Sequence, residues 1–312
     1  MDPNVCPNCG GDLESNNVFY VCEVCFTPYN AEDLAPAWQA KWAKQAALVD
    51  DQIVVRRDGA VATVVINRPE QRNAITLAMW HWFARLFEEL DADDTVGLVI
   101  VTGSGDRAFS AGADVKEFEE TRSTPQKARE YGGAFEQACD ALAAMSTPSV
   151  AAVRGYCYGG GFELALSADI RVAAETSAFA IPAARMGLAI GHTFVGRMMA
   201  LVGPGHTGYL LLTGRSIAGA EARDMGLVNA VVPDVELDAY LTTLAADLLA
   251  LSPNSHRAHK QAIRDLLEFG APGNVPKGRL MLPRTATESA DFKEGVRAFM
   301  EKRSPRFHRG AS

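Results

Sequence analysis

Apolar and polar residues follow one another along the chain in patterns that predict a succession of strands and helices. Residues 54–66 form two β-rich runs around Asp58-Gly59, a dipeptide that favours a hairpin turn. A helix is predicted to begin at about Thr76, because the apolar residues that follow recur with a helical period. These residues are Leu77, Trp80, Phe83, Leu86, Phe87 and Leu90. The apolar run 96–103 predicts a buried strand, and the main domain is predicted to begin near Ile53.

The stretch 155–170 has the pattern of a strand end, a glycine turn and a buried helix. Gly159, Gly160 and Gly161 carry no Cβ, so the backbone of the turn can approach a ligand closely. The free N–H groups at the start of the helix would point into the turn and favour negative charge there. Glu163 lies in the first helical turn and can face the same pocket as an acid or base. The alternative is that the glycines serve close packing and that the helix dipole favours Glu163.

A second stretch, residues 109–118, repeats the pattern of strand, turn and helix start, with small residues at the turn. If the two turns lie on adjacent strands, the backbone N–H groups of Ala113 and Gly160 point at one position. Two convergent N–H groups form an oxyanion hole without any ionisable side chain. The two stretches together therefore predict a catalytic site, with Glu163 as its acid or base.

Four motifs in this order resemble the crotonase, or enoyl-CoA hydratase/isomerase, superfamily. They are Asn67-Arg68-Pro69 with Asn73-Ala74, Ser110-Ala111-Gly112-Ala113-Asp114, Gly159 to Glu163, and Ala298-Phe299-Met300-Glu301-Lys302-Arg303. The resemblance covers about residues 53–308. It implies an α/β fold, with a spiral of ββα units at 53–252 and a C-terminal helical region at 253–312. It also implies a homotrimer, or a hexamer formed by two trimers.

The same resemblance implies a coenzyme A thioester as substrate. Its carbonyl oxygen would accept hydrogen bonds from Ala113 and Gly160 and would be polarised to an enolate. The residues implied to bind CoA are Arg72, Asn73, Ala74, Ala111, Asp114 and Lys302. Lys302 matches a lysine that meets the CoA phosphates, often those of a neighbouring subunit. From the residues alone, Lys302 and Arg303 are a solvated helix end with favourable dipole charge.

The sequence departs from the hydratase pattern at one position. Hydratases of this superfamily usually hold water between two glutamates; Glu163 matches the first, but Ala183 stands where the second is expected. Adding water requires one group to take a proton from water and another to supply the α-proton. The missing carboxylate therefore weakens the prediction of simple hydration without excluding it. Decarboxylases acting on methylmalonyl-CoA-like thioesters carry a single glutamate at the Glu163 position. The tyrosine that they place near Ile190 is absent here.

Four residues are candidates for the acyl pocket. They are His192, Tyr158, Arg185 and Ala183. His192 can act as a base or a hydrogen-bond donor, or it can be a structural imidazole. Arg185 can pair with a substrate carboxylate, or with Glu163 or Asp169. Tyr158 can order the substrate or belong to the core.

Four of the six cysteines lie near the start of the chain and form two CxxC motifs. They are Cys6, Cys9, Cys22 and Cys25. Four thiolates at this spacing are typical of a closed, structural zinc site, so residues 1–30 are predicted to form a zinc-ribbon-like module. Two disulfides or a rubredoxin-type iron site are the alternatives. Residues 31–52 are predicted to be a helical linker. The sequence does not identify a protein partner of the ribbon, and Cys139 and Cys157 are predicted to be buried thiols.

Composition and charge narrow the class of protein. The 312 residues are 48% hydrophobic and carry a formal net charge of -8, which favours a globular protein and disfavours nucleic-acid binding. No run approaches the ~18 apolar residues that span a membrane, and the first residues lack the pattern of a signal peptide. We therefore expect a cytoplasmic protein.

The first functional hypothesis is an enoyl-CoA hydratase or hydratase-like lyase. A decarboxylase or C–C bond hydrolase of the same fold is the alternative. A non-catalytic CoA-binding scaffold, which would partner another enzyme, is the hypothesis of another class.

Overall fold

The computed structural model describes residues 13–15, 20–22, 28–29, 51–280 and 286–307. The chain divides after Asp50 into two units. The first unit contains three short antiparallel strands, β1 (Leu13–Ser15), β2 (Tyr20–Cys22) and β3 (Pro28–Tyr29), with β2 in the middle. The predicted ligands Cys6, Cys9 and Cys25 and almost all of the predicted linker lie outside the described residues.

The larger sheet of the second unit has six strands. In spatial order they are β13 (Ala230–Val232), β10 (Ile170–Ala174), β8 (Ser149–Val153), β6 (Leu98–Gly103), β5 (Val61–Ile66) and β4 (Ile53–Asp58). All neighbours are parallel except β4 and β5, which form the predicted hairpin. Strands β6 and β8 are largely buried, as apolar strands in the middle of a parallel sheet are.

A smaller sheet has four strands. In spatial order they are β12 (Ile217–Ala218), β11 (Ala178–Ala180), β9 (Tyr156–Tyr158) and β7 (Ala108–Ser110). Strands β7 and β9 are parallel neighbours. The turns that follow them therefore lie at the same edge of this sheet, which the prediction of two convergent turns requires.

The described residues contain ten α-helices. They are α1 (Leu77–Ala92), α2 (Phe118–Thr121), α3 (Pro125–Ala144), α4 (Gly160–Ser167), α5 (His192–Thr213), α6 (Gly219–Asp224), α7 (Leu237–Leu249), α8 (Pro253–Phe269), α9 (Lys277–Leu280) and α10 (Ala290–Met300). None of them combines the length and the apolar character needed to cross a membrane.

Strands and helices follow one another in a repeated order. Strands β6 and β7 precede α2 and α3, β8 and β9 precede α4, and β10 and β11 precede α5. In each repeat the first strand belongs to the larger sheet and the second to the smaller one. The predicted ββα units are therefore confirmed.

Helix α1 packs on α3 and supports one wall of the site. The Thr76 hydroxyl accepts a hydrogen bond from the Met79 N–H at 3.3 Å and caps α1 where the sequence predicts its start. The buried face of α1 includes Trp80, Phe83 and Phe87, and the last two rings stack with centroids 5.6 Å apart. Burying a side chain of this size contributes ~1.5–3 kcal/mol to stability.

The segment after α10 is tied to the helix by one carboxylate. The helix begins after Ser289, whose hydroxyl accepts from the Phe292 N–H at 3.1 Å. Glu294 accepts hydrogen bonds from the Arg303 guanidinium at 2.7 Å and from the Arg306 N–H at 2.9 Å. These bonds hold the pKa of the Glu294 carboxyl well below its usual range.

Candidate active site

A cavity of about 350 Å³ lies where β7 and β9 end. Its walls come from the turn after β7, the turn after β9 with the start of α4, one face of α3, and the loop between β11 and α5. Most of the lining side chains are apolar. The cavity thus brings both predicted turns into one site.

The two glycine turns touch each other. Gly112 has a φ of +95° and Gly159 a φ of +50°, values that favour glycine. A Cβ on Gly112 would lie 2.8 Å from the Tyr158 carbonyl oxygen and 3.1 Å from the Gly160 nitrogen. The absence of a side chain at Gly112 therefore lets the turn after β7 contact the start of α4.

Two backbone N–H groups at these turns have no acceptor among the described residues. The Ile75 N–H donates to Gly112 O at 2.8 Å, and the Asp114 N–H donates to Ile75 O at 2.9 Å. In this parallel bridge the intervening Ala113 directs its own N–H away from Ile75. Gly160 is the first residue of α4, so its N–H has no partner within the helix. The adjacent turns thus present two unpaired donors.

Glu163 lines the same cavity from the first turn of α4 and is only 3% exposed. Within the described residues its carboxyl group forms no hydrogen bond or ion pair. Burial raises the pKa of Glu163 to about 8; Arg197 lowers it, Glu136 raises it and Arg122 lowers it by smaller amounts. Most of the Glu163 carboxyl groups therefore keep their proton at neutral pH.

The four candidates for the acyl pocket separate into two pairs. Tyr158 and Ala183 line the cavity, and the Tyr158 hydroxyl lies 2.9 Å from Ser216 Oγ. His192 and Arg185 are exposed and do not line it. His192 begins α5. Among the described residues, Arg185 forms no salt bridge with Glu163 or Asp169, which was one alternative for its role. Asp169 pairs with Lys260 instead.

Two ionisable cavity residues were missed by the sequence reasoning. Glu136 of α3 lines the cavity, and its Oε1 would lie 3.1 Å from a Cβ placed on Gly191. Arg122, which follows α2, lines it as well. A signal for Glu136 existed in the helical spacing of the residues that α3 contributes. They are Ala128, Tyr131, Gly132, Phe135 and Glu136, which lie one turn apart on one face.

Several predicted CoA-binding residues build the loop before α1. The side chain of Asn73 is fully buried and donates to Ser104 O at 3.0 Å and to Ala108 O at 2.7 Å. Asp114 is 2.9 Å from the Arg68 guanidinium. Both side chains therefore hold the turns that flank the cavity in place.

The other predicted CoA-binding residues have varied surroundings. Arg72 is exposed and lies over the Tyr156 ring at 5.8 Å. Ala111 lines the cavity, Ala74 is buried, and Lys302 is exposed just after α10. The two cations are thus accessible to a ligand.

The described residues contain no cluster of three or more His, Cys, Asp or Glu side chains that could hold a metal ion. Three of the predicted zinc ligands lie outside these residues, and Cys22 belongs to β2. Cys139 and Cys157 are free and buried, as predicted, and burial raises the pKa of both thiols.

Comparison with known proteins shows to which family the second unit is similar. Residues 56–310 match the family described as enoyl-CoA hydratase/isomerase. A protein of Mycobacterium bovis named probable enoyl-CoA hydratase echA8 is 36% identical over 258 residues, which are 82% of this chain and 98% of that protein. The 2,3-dehydroadipyl-CoA hydratase of Escherichia coli K12 is 32% identical over 257 residues, 82% of this chain and 98% of that one.

A solved structure shows the same fold. The crystal structure of an enoyl-CoA hydratase/carnithine racemase from Magnetospirillum magneticum superposes with a TM-score of 0.79 at 35% sequence identity. It covers 83% of this chain and 96% of its own. By the match to the family and by these relatives, the chain belongs to the enoyl-CoA hydratase/isomerase family.

Proposed function

We propose that the protein is an enoyl-CoA hydratase-like enzyme that adds water to a 2-enoyl-CoA thioester. The observation that carries the proposal is the presence in one cavity of two backbone N–H groups without an acceptor and a buried glutamic acid without an ion pair among the described residues. The names of the relatives, which include enoyl-CoA hydratases, support it.

The N–H groups of Ala113 and Gly160 would bind the thioester carbonyl oxygen. As a nucleophile adds to the β-carbon, negative charge moves to this oxygen and an enolate forms. Donors fixed by the backbone in a largely apolar cavity stabilise such charge without reorganising, and one donor is worth about 2.7–4 kcal/mol of transition-state stabilisation.

Glu163 would act as the general acid. Its raised pKa leaves the carboxyl protonated at neutral pH, so that it can deliver a proton to the α-carbon of the enolate. The product gains this proton at the α-carbon and a hydroxyl at the β-carbon.

Glu136 would take the second carboxylate's role, which Ala183 cannot fill. It faces the same cavity as Glu163, and its charge raises the pKa of Glu163, so the two groups interact. Glu136 would accept a proton from the attacking water as the oxygen bonds to the β-carbon. Exchange with solvent then restores the starting protonation of both glutamates.

Coenzyme A would lie along the loop before α1 and reach the end of α10. Arg72 and Lys302 provide exposed cations for its phosphates, and Ala74 and Ala111 provide the small surfaces beside them. Asn73 and Asp114 support these residues through their buried hydrogen bonds and ion pair.

The assembly would be a homotrimer or a hexamer. Several large apolar side chains on the C-terminal helices α8 and α10 are exposed in the single chain. They are Ile263, Leu267, Phe292, Val296, Phe299 and Met300. Exposed apolar groups of this number favour burial against another copy. Light scattering of the purified protein measures the mass directly, and a monomer would contradict this part of the proposal.

The first unit would hold a structural zinc ion through Cys6, Cys9, Cys22 and Cys25. The antiparallel order of β1, β2 and β3, with Cys22 at the end of the middle strand, supports a ribbon of this kind. Metal analysis should give one zinc per chain, and a Cys9→Ser/Cys25→Ser double variant should lose it.

Turnover of crotonyl-CoA by the purified protein tests the main proposal, because hydration removes the absorbance of the enoyl thioester. Ala183 favours a decarboxylase as the second candidate, so methylmalonyl-CoA and CO2 release form the parallel assay. Release of CO2 without hydration would replace the first proposal by the second. Inactivity on a broad acyl-CoA panel, together with co-purification of another enzyme, would favour the scaffold.

A further inference from the structure

Arg122 forms an unusual part of the cavity wall. The guanidinium lies over two aromatic rings, with Cζ 4.1 Å from the centroid of Phe118 and 4.2 Å from that of Tyr131. Phe118, Arg122 and Tyr131 all line the cavity. The two rings therefore hold a positive charge at this wall.

Two donors at this wall lack an acceptor among the described residues. Arg122 Nε is buried and has no hydrogen-bond partner, and no carboxylate pairs with the guanidinium in the part of the chain that the structure describes. The Tyr131 oxygen accepts from Trp80 Nε1 at 2.9 Å and from the Arg122 guanidinium, so the Tyr131 hydroxyl hydrogen is left to donate. Burial raises the pKa of Tyr131, which keeps that hydrogen in place.

The neighbouring lining residues cannot satisfy these donors through their side chains. They are Val115, Phe118, Ala128, Gly132 and Phe135. An unsatisfied buried donor on a partly buried cation costs free energy, which a ligand with an anionic acceptor recovers. A carboxylate fits a guanidinium best, because its two oxygens match two N–H groups.

We propose that Arg122 and Tyr131 bind a carboxylate carried by the acyl group of the substrate. The preferred substrates are then enoyl-CoA thioesters with a second, free carboxylate, rather than plain fatty enoyl-CoA. The proposal rests on the function proposed above, and it names the substrate class of the same cavity.

A matched pair of substrates tests the inference. One is trans-2-hexenoyl-CoA, and the other has the same six-carbon chain ending in a carboxylate. We expect the wild-type protein to have the higher kcat/KM with the carboxylated substrate. Arg122→Met should lower that value about 10- to 150-fold, the range for losing a hydrogen-bonded charged partner, and should lower the hexenoyl value by a much smaller factor.

Further variants separate recognition from structure. Arg122→Lys keeps the charge without the planar fork and should retain part of the preference. Tyr131→Phe should reduce it less than Arg122→Met does. Arg129→Met removes an exposed arginine of α3 outside the cavity and should leave both substrates unchanged. Melting curves show whether each variant is folded.

Binding of the two saturated acyl-CoA analogues, measured by calorimetry, gives a readout without turnover. The wild type should bind the carboxylated analogue more tightly, and Arg122→Met should abolish the difference. Equal losses on both substrates, or an unchanged preference in Arg122→Met, would overturn the inference and leave hydration standing. Hydration of neither substrate would overturn the proposed function and the inference with it.

Discussion

The two ends of helix α4 carry acidic residues in opposite situations. Glu163, in the first turn, is buried against the cavity with no hydrogen bond to its carboxyl among the described residues. Asp169, just beyond the last turn, accepts from the Ser149 N–H and hydroxyl, both at 2.7 Å, and pairs with Lys260. One acid is thus left unsatisfied by the protein, and the other is fully engaged.

The difference indicates that Glu163 serves the proposed reaction and that Asp169 serves the stability of the fold. A buried polar group without a partner costs free energy, so the fold gains nothing from Glu163 as it stands. The satisfied Asp169 joins the end of α4 to β8 and α8 instead. The same contrast holds for the backbone, because the free N–H groups are at the Glu163 end of the helix. Substitutions at the two ends should therefore affect different measurements.

The largest effect on turnover is expected for Glu163→Gln. The amide keeps the shape of the side chain but cannot deliver a proton, so kcat should fall about 10²- to 10⁴-fold. The melting temperature should not fall, because a buried ionisable group is replaced by a neutral one. Hydration kinetics and melting curves of the same preparation check both statements. Activity within a few-fold of wild type would remove Glu163 from the mechanism.

At the other end of α4, Lys260→Met should act on stability. It leaves the Asp169 carboxylate without its cation, while Lys260 itself is 8% exposed. We expect unfolding to become easier by about 2–4 kcal/mol, less than for a fully buried pair because Asp169 is partly exposed. Urea unfolding measures this value. If instead kcat fell for fully folded protein, the separation of the two ends would be wrong.

A smaller loss is expected for Glu136→Gln, and it should be reversible by a second change. Removing the proposed water base should lower kcat by about 10²-fold. Adding Ala183→Glu restores a carboxylate where related hydratases carry one, and should recover part of that loss. Glu130→Gln, an exposed acid of the same helix outside the cavity, is the control. Wild-type activity of Glu136→Gln would exclude Glu136 as the base that accepts the proton from water.

The most gradual effect is the contribution of Glu163 to the slope of stability with pH. The folded pKa of Glu163, about 8, lies above the usual value of 4.5 for a glutamic acid. Below about pH 4.5 the group is protonated in both states. Between about pH 4.5 and 8 only the unfolded state loses the proton. The contribution of Glu163 to the free energy of unfolding therefore falls by at most about 1.4 kcal/mol per pH unit. Glu163→Gln should remove this slope from urea unfolding curves, and an identical slope in both proteins would contradict the buried pKa.

Features encoded by neighbouring residues were predictable from the sequence. Thr76 caps a helix where predicted, and Gly59 lies in the turn of the predicted hairpin. The two turns that carry Ala113 and Gly160 were also recognisable from two similar local patterns, whereas their adjacency was a condition of the prediction. In each case the cause lies within a few residues of the effect.

The rest depended on how distant elements pack. Glu136 enters the cavity because α3 packs beside α4, and Arg122 enters it because the end of α2 packs against α3; the sequences of these helices alone do not specify either contact. His192 and Arg185 lie close in sequence to Ala183, but the start of α5 and the short helical turn at 182–186 leave their side chains exposed. The CoA contacts, the assembly and the zinc site remain predictions.

Exchange of the α-protons of butyryl-CoA in D2O tests the central claim most directly, because it requires only that the site polarise the thioester and move a proton at the α-carbon. Our account predicts that mass spectrometry shows deuterium at the α-carbon with the wild-type protein. With Glu163→Gln, which should still bind the thioester, exchange should be at least about 100-fold slower. Binding without exchange in the wild type, or equal exchange in both proteins, would contradict it.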